Sequence, residues 1–246
     1  MDEQAGYGMP NHIGIIPDGN RRWARKRGLP EKLGHYYGIK TAKKIVNFIF
    51  NETDVNYLTL YGFSKYNFNR DEEEKSALFY MMADVVKELS EWIPDDVGFI
   101  PAGDFSKFEA YKLPGSSEGG PSNLKELIEA TAKASNSGRY FTVLVGYDGV
   151  DEIEAGAERL LEAQKSGDAC QQVSGKDIWK YTYTSDLPPI DLMIRTGNEQ
   201  RLSGFAPYLV SYAELYFDKK MWPAFSKRRL KKILKSYGKR DRRFGR

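Results

Sequence analysis

Short apolar segments alternate with longer segments of helical character along most of this chain. The strand-like segments are rich in β-branched and aromatic residues, and they lie at residues 13–16, 55–63, 97–101, 140–146, 191–195 and 215–217. The helix-like segments lie at residues 21–27, 36–50, 72–92, 124–134, 150–165 and 226–237. Strands separated by helices predict an α/β fold with a mainly parallel sheet and helices on both of its faces.

The chain has 246 residues, no internal repeat and no linker long enough to separate two units. This length suits one large α/β domain, so residues 1–246 are predicted to form a single domain. Residues 1–11 are expected to be flexible. Residues 105–122 are predicted to form a loop, because glycine or proline occurs there five times.

The composition excludes several classes of protein. The single cysteine, Cys170, excludes an internal disulfide, and one cysteine with two histidines cannot build a zinc site from His and Cys ligands. No apolar run reaches the roughly 18 residues that span a bilayer, and the first residues lack the apolar core of a signal peptide. The chain is therefore expected to be cytoplasmic.

Positive charge is concentrated at the C-terminus. Residues 226–246, a predicted basic helix and tail, hold 11 Lys or Arg and one acid, whereas the whole chain has a net charge of only +3. Such a segment is compatible with nucleic acid, anionic lipid, a phosphorylated substrate or a solvated helix face. No nucleic-acid-binding signature accompanies the charge, so no nucleic-acid partner is predicted, while peripheral contact with a membrane stays open.

The first strand ends in Pro17-Asp18-Gly19-Asn20, and a segment that begins Arg21-Arg22 follows it. A strand, a glycine turn and a helix place free backbone N–H groups beside guanidinium groups, which favours an anion such as phosphate. The carboxylate of Asp18 would oppose that anion unless a divalent cation bridges the two. The pattern therefore predicts a metal-assisted diphosphate site.

Two further strand-like segments also end in polar clusters, at residues 64–70 and 195–203. Ligands of open parallel sheets collect at the carboxyl ends of the strands, so three such clusters could hold two phosphate groups. Rival motifs are missing from the sequence: it has no P-loop, no dinucleotide-binding G-x-G-x-x-G after a strand and no G-x-S-x-G elbow.

The blocks DGNRRWA, GHYYG, FSKYNFNR, RTGNEQRLS and YAELYF occur in this order between residues 12 and 245. Together they resemble the cis-prenyltransferases, the undecaprenyl diphosphate synthase family. The resemblance implies a single α/β domain with a six-stranded, mainly parallel sheet, flanking helices and a hydrophobic tunnel. It also implies a homodimer, Mg²⁺, and two substrates, an allylic prenyl diphosphate and isopentenyl diphosphate, which are condensed head to tail in the cis configuration.

The same resemblance assigns roles to individual residues. It implies catalytic roles for Asp18, Asn20 and Asn67, and metal binding by Asp18 and Glu214. The substrate-binding residues that it implies are Gly19, Arg21, Arg22, Trp23, His35, Ser64, Arg70, Arg195, Arg201, Ser203, Arg243 and Gly245. The last two belong to a terminal R-x-G that would reach the second diphosphate site of the neighbouring subunit.

The departures from the family pattern cluster around the reacting centre. Pro17, Tyr66 and Asp71 replace a usual Met, Glu and Pro, and Glu31 replaces a usual Arg, where its charge must point away from a diphosphate, bind metal or face a different ligand. These changes predict a short or medium product. They keep open a lavandulyl-type condensation with dimethylallyl diphosphate as acceptor. A non-catalytic partner subunit is a further alternative, although such subunits typically lack the aspartate found here at position 18.

The segment 72–92 carries an apolar stripe that includes Leu78, Met81, Met82 and Val85. One interpretation is that this stripe forms a wall of the implied tunnel and limits the length of the product. The other is ordinary core packing, which is the usual role of such a stripe. The sequence leaves both open.

Overall fold

The computed structural model of this protein describes residues 8–113, 120–167 and 174–240. Its strands are β1 His12–Ile16, β2 Tyr57–Ser64, β3 Gly98–Ala102, β4 Tyr140–Tyr147, β5 Leu192–Arg195 and β6 Glu214–Phe217. They form one sheet in the order β3-β4-β2-β1-β5-β6, and each neighbouring pair is parallel. The predicted α/β fold with a six-stranded sheet is confirmed.

The helices are α1 Asn20–Arg25, α2 Glu31–Glu52, α3 Glu72–Lys87, α4 Leu124–Glu129, α5 Gly149–Ser166, α6 Gly175–Lys180, α7 Pro207–Val210 and α8 Lys227–Tyr237. The short helices α6 and α7 were not predicted. Helix α2 begins five residues before the predicted start, because Gly34 and Gly38 act as packing residues and do not end the helix. A Cβ at either glycine would collide with Asn20 at the start of α1.

The hydrophobic core lies on both faces of the sheet. The central strand β1 is buried along its whole length, and Ile13 and Ile15 pack with Ile45 and Ile49 of α2 on one face. On the other face, Met193 packs with residues of α7 and its preceding loop. This double-sided packing is typical of parallel sheets.

Three predictions about segments have mixed outcomes. Helix α3 ends at Lys87, and residues 89–91 form a separate 3₁₀ turn, so the predicted helix over 72–92 is too long. The predicted loop over 105–122 includes a 3₁₀ turn at Ser106–Ala110, while its residues 114–119 lie outside the described part. Residues 1–7 are likewise outside it, whereas the Asn11 backbone N–H donates to Asp191 Oδ2 over 2.9 Å. No helix within the described ranges is long and apolar enough to cross a membrane.

Candidate active site

The carboxyl ends of β1, β2 and β5 meet around one open cleft of about 850 Å³. This common edge brings together most of the residues singled out in the sequence. Those on the cleft wall are Asp18, Gly19, Asn20, Arg21, Arg22, His35, Ser64, Asn67, Arg70, Arg195 and Ser203. Asp18 and Arg195, which are 177 positions apart in the chain, therefore share one site.

Asp18 and Arg195 form the ion pair at the centre of the cleft. Arg195 Nη2 donates to Asp18 Oδ2 over 2.9 Å, and its Nη1 donates to Ser203 Oγ over 2.8 Å and to the Arg201 carbonyl. Arg22 Nη2 donates to the other oxygen of Asp18 over 3.2 Å. The side chain of Arg195 is only 6% exposed and that of Asp18 28%, so Asp18 is the member of the pair that meets the solvent of the cleft.

Gly19 and Asn20 turn the chain from β1 into α1. Gly19 has a φ of 104°, and a Cβ there would lie 2.9 Å from Met221, so both backbone and space require glycine. The Asn20 side-chain oxygen is buried and has no hydrogen-bond partner among the described residues. Helix α1 has only six residues, so the arginine side chains, and not the helix, supply the positive potential of this region.

A second group of charges lines the opposite side of the cleft, where α1, α2 and α3 meet. Arg21 and Arg25 both form ion pairs with Glu31, and Arg70 forms one with Glu74. This arrangement is none of the three that the sequence left for Glu31, since its carboxylate pairs with two arginines of the protein itself. Two arginines neutralise the charge of Glu31, and this removes the expected repulsion between Glu31 and a diphosphate.

His35 lies in the same group, with its Nε2 3.4 Å from Arg70 Nη1 and 3.8 Å from Glu74 Oε1. Burial lowers the pKa of His35 to about 4, and the positive charges of Arg70 and Arg21 act in the same direction. The imidazole is therefore neutral at physiological pH. It can exchange a hydrogen bond with a phosphate group but does not add charge to the site.

Ser64 and Asn67 form a capping box at the end of β2. The Asn67 side-chain oxygen accepts from the Ser64 backbone N–H over 2.7 Å and from its hydroxyl over 3.0 Å. These bonds hold the turn that carries Arg70 to the cleft, which is a structural role for both residues. Both bonds use the oxygen of Asn67, and its side-chain amide N–H groups, which have no acceptor in the part of the chain that the structure describes, are left for a ligand.

Two of the remaining predicted site residues, Glu214 and Arg201, are described but are not on the cleft wall. Glu214 is at the opposite edge of the sheet, because it pairs with Leu192, three residues before Arg195, and its carboxylate binds Arg240. Glu214 and Asp18 of the same chain are therefore not close to each other. The geometry of a single copy does not support a metal ion bound by both carboxylates. Arg201 is exposed and pairs with Glu199. Arg243 and Gly245 lie outside the described residues.

Trp23 is also off the cleft wall. It packs on Tyr37, with 5.1 Å between ring centroids, and lies beneath the guanidinium of Arg27. Two residues that the sequence analysis did not single out carry charge into the site. Glu199 binds Arg22 over 2.8 Å, and Glu74 binds Arg70. Glu74 stands four residues after Arg70 on α3, a helical spacing that could have indicated the pair, whereas the pairing of Glu199 is long-range and gave no local signal.

An apolar cavity of about 190 Å³ adjoins the cleft. It lies between α2, α3 and the sheet, and Asn20, His35, Tyr61, Phe63 and Leu78 line both spaces. The predicted stripe of α3 faces it: the cavity wall includes Leu78, Met81, Met82 and Val85. A charged cleft that adjoins an apolar cavity suits a ligand that has an anionic head and a short hydrocarbon tail.

The cleft offers the carboxylate of Asp18 to a divalent cation such as Mg²⁺. The described residues contain no group of three His, Cys, Asp or Glu side chains that could hold a metal ion. Mg²⁺ usually keeps several waters and binds through one or two carboxylates plus the phosphates of its substrate. Two carboxylates line the cleft, that of Asp18 and that of the largely buried Asp148, which caps α5, and this set is compatible with that mode but not with a metal site made by protein ligands alone.

Comparison with known proteins agrees with this geometry. Residues 16–245 match the family model described as "Putative undecaprenyl diphosphate synthase". The chain is 38% identical over 240 residues to an isoprenyl transferase of Clostridium perfringens, covering 96% of this chain and 90% of that protein. It is 35% identical to a ditrans,polycis-undecaprenyl-diphosphate synthase ((2E,6E)-farnesyl-diphosphate specific) of Buchnera aphidicola, covering 95% and 90%.

A solved structure is similar over almost the whole chain. The crystal structure of lavandulyl diphosphate synthase from Lavandula x intermedia, in complex with dimethylallyl diphosphate, superposes with a TM-score of 0.82 at 29% identity. The match covers 97% of this chain and 99% of that one. The family match, the curated relatives and the shared fold lead to one conclusion: this chain belongs to the undecaprenyl diphosphate synthase family of cis-prenyltransferases and is a prenyltransferase enzyme.

Proposed function

We propose that this enzyme, with Mg²⁺, condenses an allylic prenyl diphosphate with isopentenyl diphosphate, head to tail and in the cis configuration. The observation that carries the proposal is that an apolar cavity adjoins a cleft lined by five arginines and that the two share part of their walls. The charged cleft would take the diphosphate groups, and the cavity would take the prenyl chain. The family membership supports the same reaction.

The reaction has three bond changes. The allylic C–O bond breaks and its electron pair leaves with the diphosphate, the acceptor's double bond attacks the allylic carbon, and a proton is lost to restore a double bond. Arg21, Arg22 and Asn20 are proposed to hold the departing diphosphate, where fixed donors stabilise developing negative charge. The apolar wall would keep water from the allylic cation. Asp18 would hold Mg²⁺, which when bound neutralises diphosphate charge.

The second diphosphate is proposed to bind near Arg195 and Ser203, with Arg201 at the rim. Arg243 and Gly245 of a second copy would complete this site, so a homodimer is part of the proposal. A cytoplasmic enzyme in contact with a membrane surface is also part of it, supported by the exposed cations Arg228 and Lys232 on α8.

The product is proposed to be short. A cavity of about 150 Å³ holds one benzene-sized hydrocarbon, so a space of this size suits a tail of one or two isoprene units. The small cavity, together with the similar lavandulyl diphosphate synthase, also supports a second candidate. This is a non-head-to-tail condensation in which dimethylallyl diphosphate is the acceptor.

One assay tests both candidates. Radiolabelled dimethylallyl, geranyl, farnesyl and geranylgeranyl diphosphates are each incubated with the enzyme and Mg²⁺, with and without isopentenyl diphosphate. Products that require isopentenyl diphosphate support head-to-tail condensation, and a product from dimethylallyl diphosphate alone supports the second candidate. No product from any mixture would overturn the proposal.

A further inference from the structure

Glu31 is the first residue of α2, and its carboxylate lies between two arginines of α1. One carboxylate oxygen accepts a hydrogen bond from Nε of Arg21, and the other accepts one from Nε of Arg25. The hydrogen bond from Arg21 is the main reason why the pKa of Glu31 lies below its usual value. Glu31 therefore stays charged at neutral pH and joins the two guanidinium groups.

Both bonds use the same nitrogen of the arginine. The terminal Nη1 and Nη2 atoms of Arg21 and Arg25 make no hydrogen bond to any other residue in the described ranges. Both arginines line the cleft, whereas Glu31 is not on its wall. The carboxylate thus binds each guanidinium at Nε and leaves its terminal nitrogens for the cleft.

We propose that Glu31 is a positioning residue, which turns the terminal nitrogens of Arg21 and Arg25 toward one diphosphate. The inference rests on the proposed function only in assigning the cleft to a diphosphate. A guanidinium is planar, so a bond at Nε restricts the plane in which its other donors lie. Donors that are ordered before binding lose less conformational freedom when the ligand arrives, and this tightens binding.

A competing role for Glu31 predicts the opposite sign. If the carboxylate merely occupied the arginines in place of a phosphate, the diphosphate would have to displace it. Removing its charge would then tighten binding. The affinity for a small diphosphate therefore separates the two roles without any use of the reaction.

The test uses the full-length protein and inorganic pyrophosphate, titrated by calorimetry. We expect Glu31→Gln to weaken pyrophosphate binding about tenfold, and Glu31→Asp, which keeps the charge but cannot reach both arginines, to weaken it about threefold. Glu52→Gln is the matched control. Glu52 also bridges two cations, Lys227 and Lys231, but lies at the other end of α2, about 30 Å away.

Thermal unfolding of each variant checks that the fold is kept. In steady-state assays, we expect the KM for the allylic diphosphate to rise in Glu31→Gln while kcat changes less than twofold. Binding by Glu31→Gln or Glu31→Asp that equals or exceeds that of the wild type would overturn this inference alone. If the wild type itself did not bind pyrophosphate, the proposed diphosphate site would fail with it.

Discussion

The cleft has two arginine clusters, one around Arg195 and one around Arg21, and they differ in how many of their hydrogen-bond donors the protein already uses. Arg195 is almost fully buried, and both of its terminal nitrogens bind Asp18, Ser203 or the Arg201 carbonyl. The side chain of Arg21 is 41% exposed, and among the described residues it is held only through Nε. The first cluster is a fixed part of the fold that a ligand must fit. The second is oriented but still has free donors, and it is also where Glu31 departs from the family pattern.

The largest effect is expected at the fixed cluster, from Asp18→Ala. This change removes the carboxylate that pairs with Arg195 and leaves that buried guanidinium without its charged partner. We expect kcat/KM to fall about 10³-fold, a loss comparable to removing a principal electrostatic group from an active site. Product formation from labelled allylic diphosphate measures the loss, with Asp54→Ala, at an exposed aspartate, as the control. Turnover within twofold of the wild type would show that the centre of the site has been misassigned.

Paired Arg→Lys substitutions test the contrast between the clusters directly. Arg195→Lys keeps the charge but loses the fork that reaches three acceptors, so we expect the free energy of unfolding to fall by about 2 kcal/mol. Arg21→Lys affects an exposed pair, and we expect a change below about 0.5 kcal/mol. Urea denaturation of the two variants measures both values. Equal losses would mean that the clusters do not differ in the way their exposure indicates.

Much of this site could be predicted because the carboxyl ends of parallel strands share one edge. Asp18, Ser64 and Arg195 each follow an apolar segment in the sequence, and the parallel pairing of β1 with β2 and β5 brings them together. The same rule explains the position of Glu214. It stands at the beginning of β6, so a parallel strand places it at the far edge of the sheet.

Other features could not be predicted, because they depend on packing between distant segments. The apolar periodicity predicted a helix from residue 36, whereas α2 begins at Glu31 and includes Gly34 and Gly38. Their role emerges only when α1 packs against them. The pairing of Glu199 with Arg22 likewise joins residues 177 positions apart. Composition could not show that Glu31 would be neutralised by two arginines.

The second cluster, which includes Arg21 and Arg70, gives a smaller, pH-dependent effect through His35. Burial lowers its pKa from 6.5 to about 4, so the unfolded chain binds a proton that the folded chain does not as pH falls through this interval. The contribution of neutral His35 to the free energy of unfolding is therefore full above pH 6.5. It decreases as the pH falls toward 4, by about 1 kcal/mol per pH unit. We expect His35→Asn to lower the slope of unfolding free energy against pH by that amount. His12, also buried with a pKa of about 4, remains as an internal reference in the variant. An unchanged slope would show that burial does not keep His35 neutral in the folded protein.

The smallest effect is expected where the charged cleft gives way to the apolar cavity. Met82 is half-buried on α3 and lines that cavity, so Met82→Ala shortens a side chain that limits its depth. If the stripe of α3 is a wall for the prenyl chain, chromatography should show a product longer by one isoprene unit, at a cost of about 1 kcal/mol in stability. Asp84→Ala, at an exposed position of the same helix, should change neither. If the stripe is ordinary core, stability falls but the product keeps its length, because space opened within the core does not extend the path of the substrate.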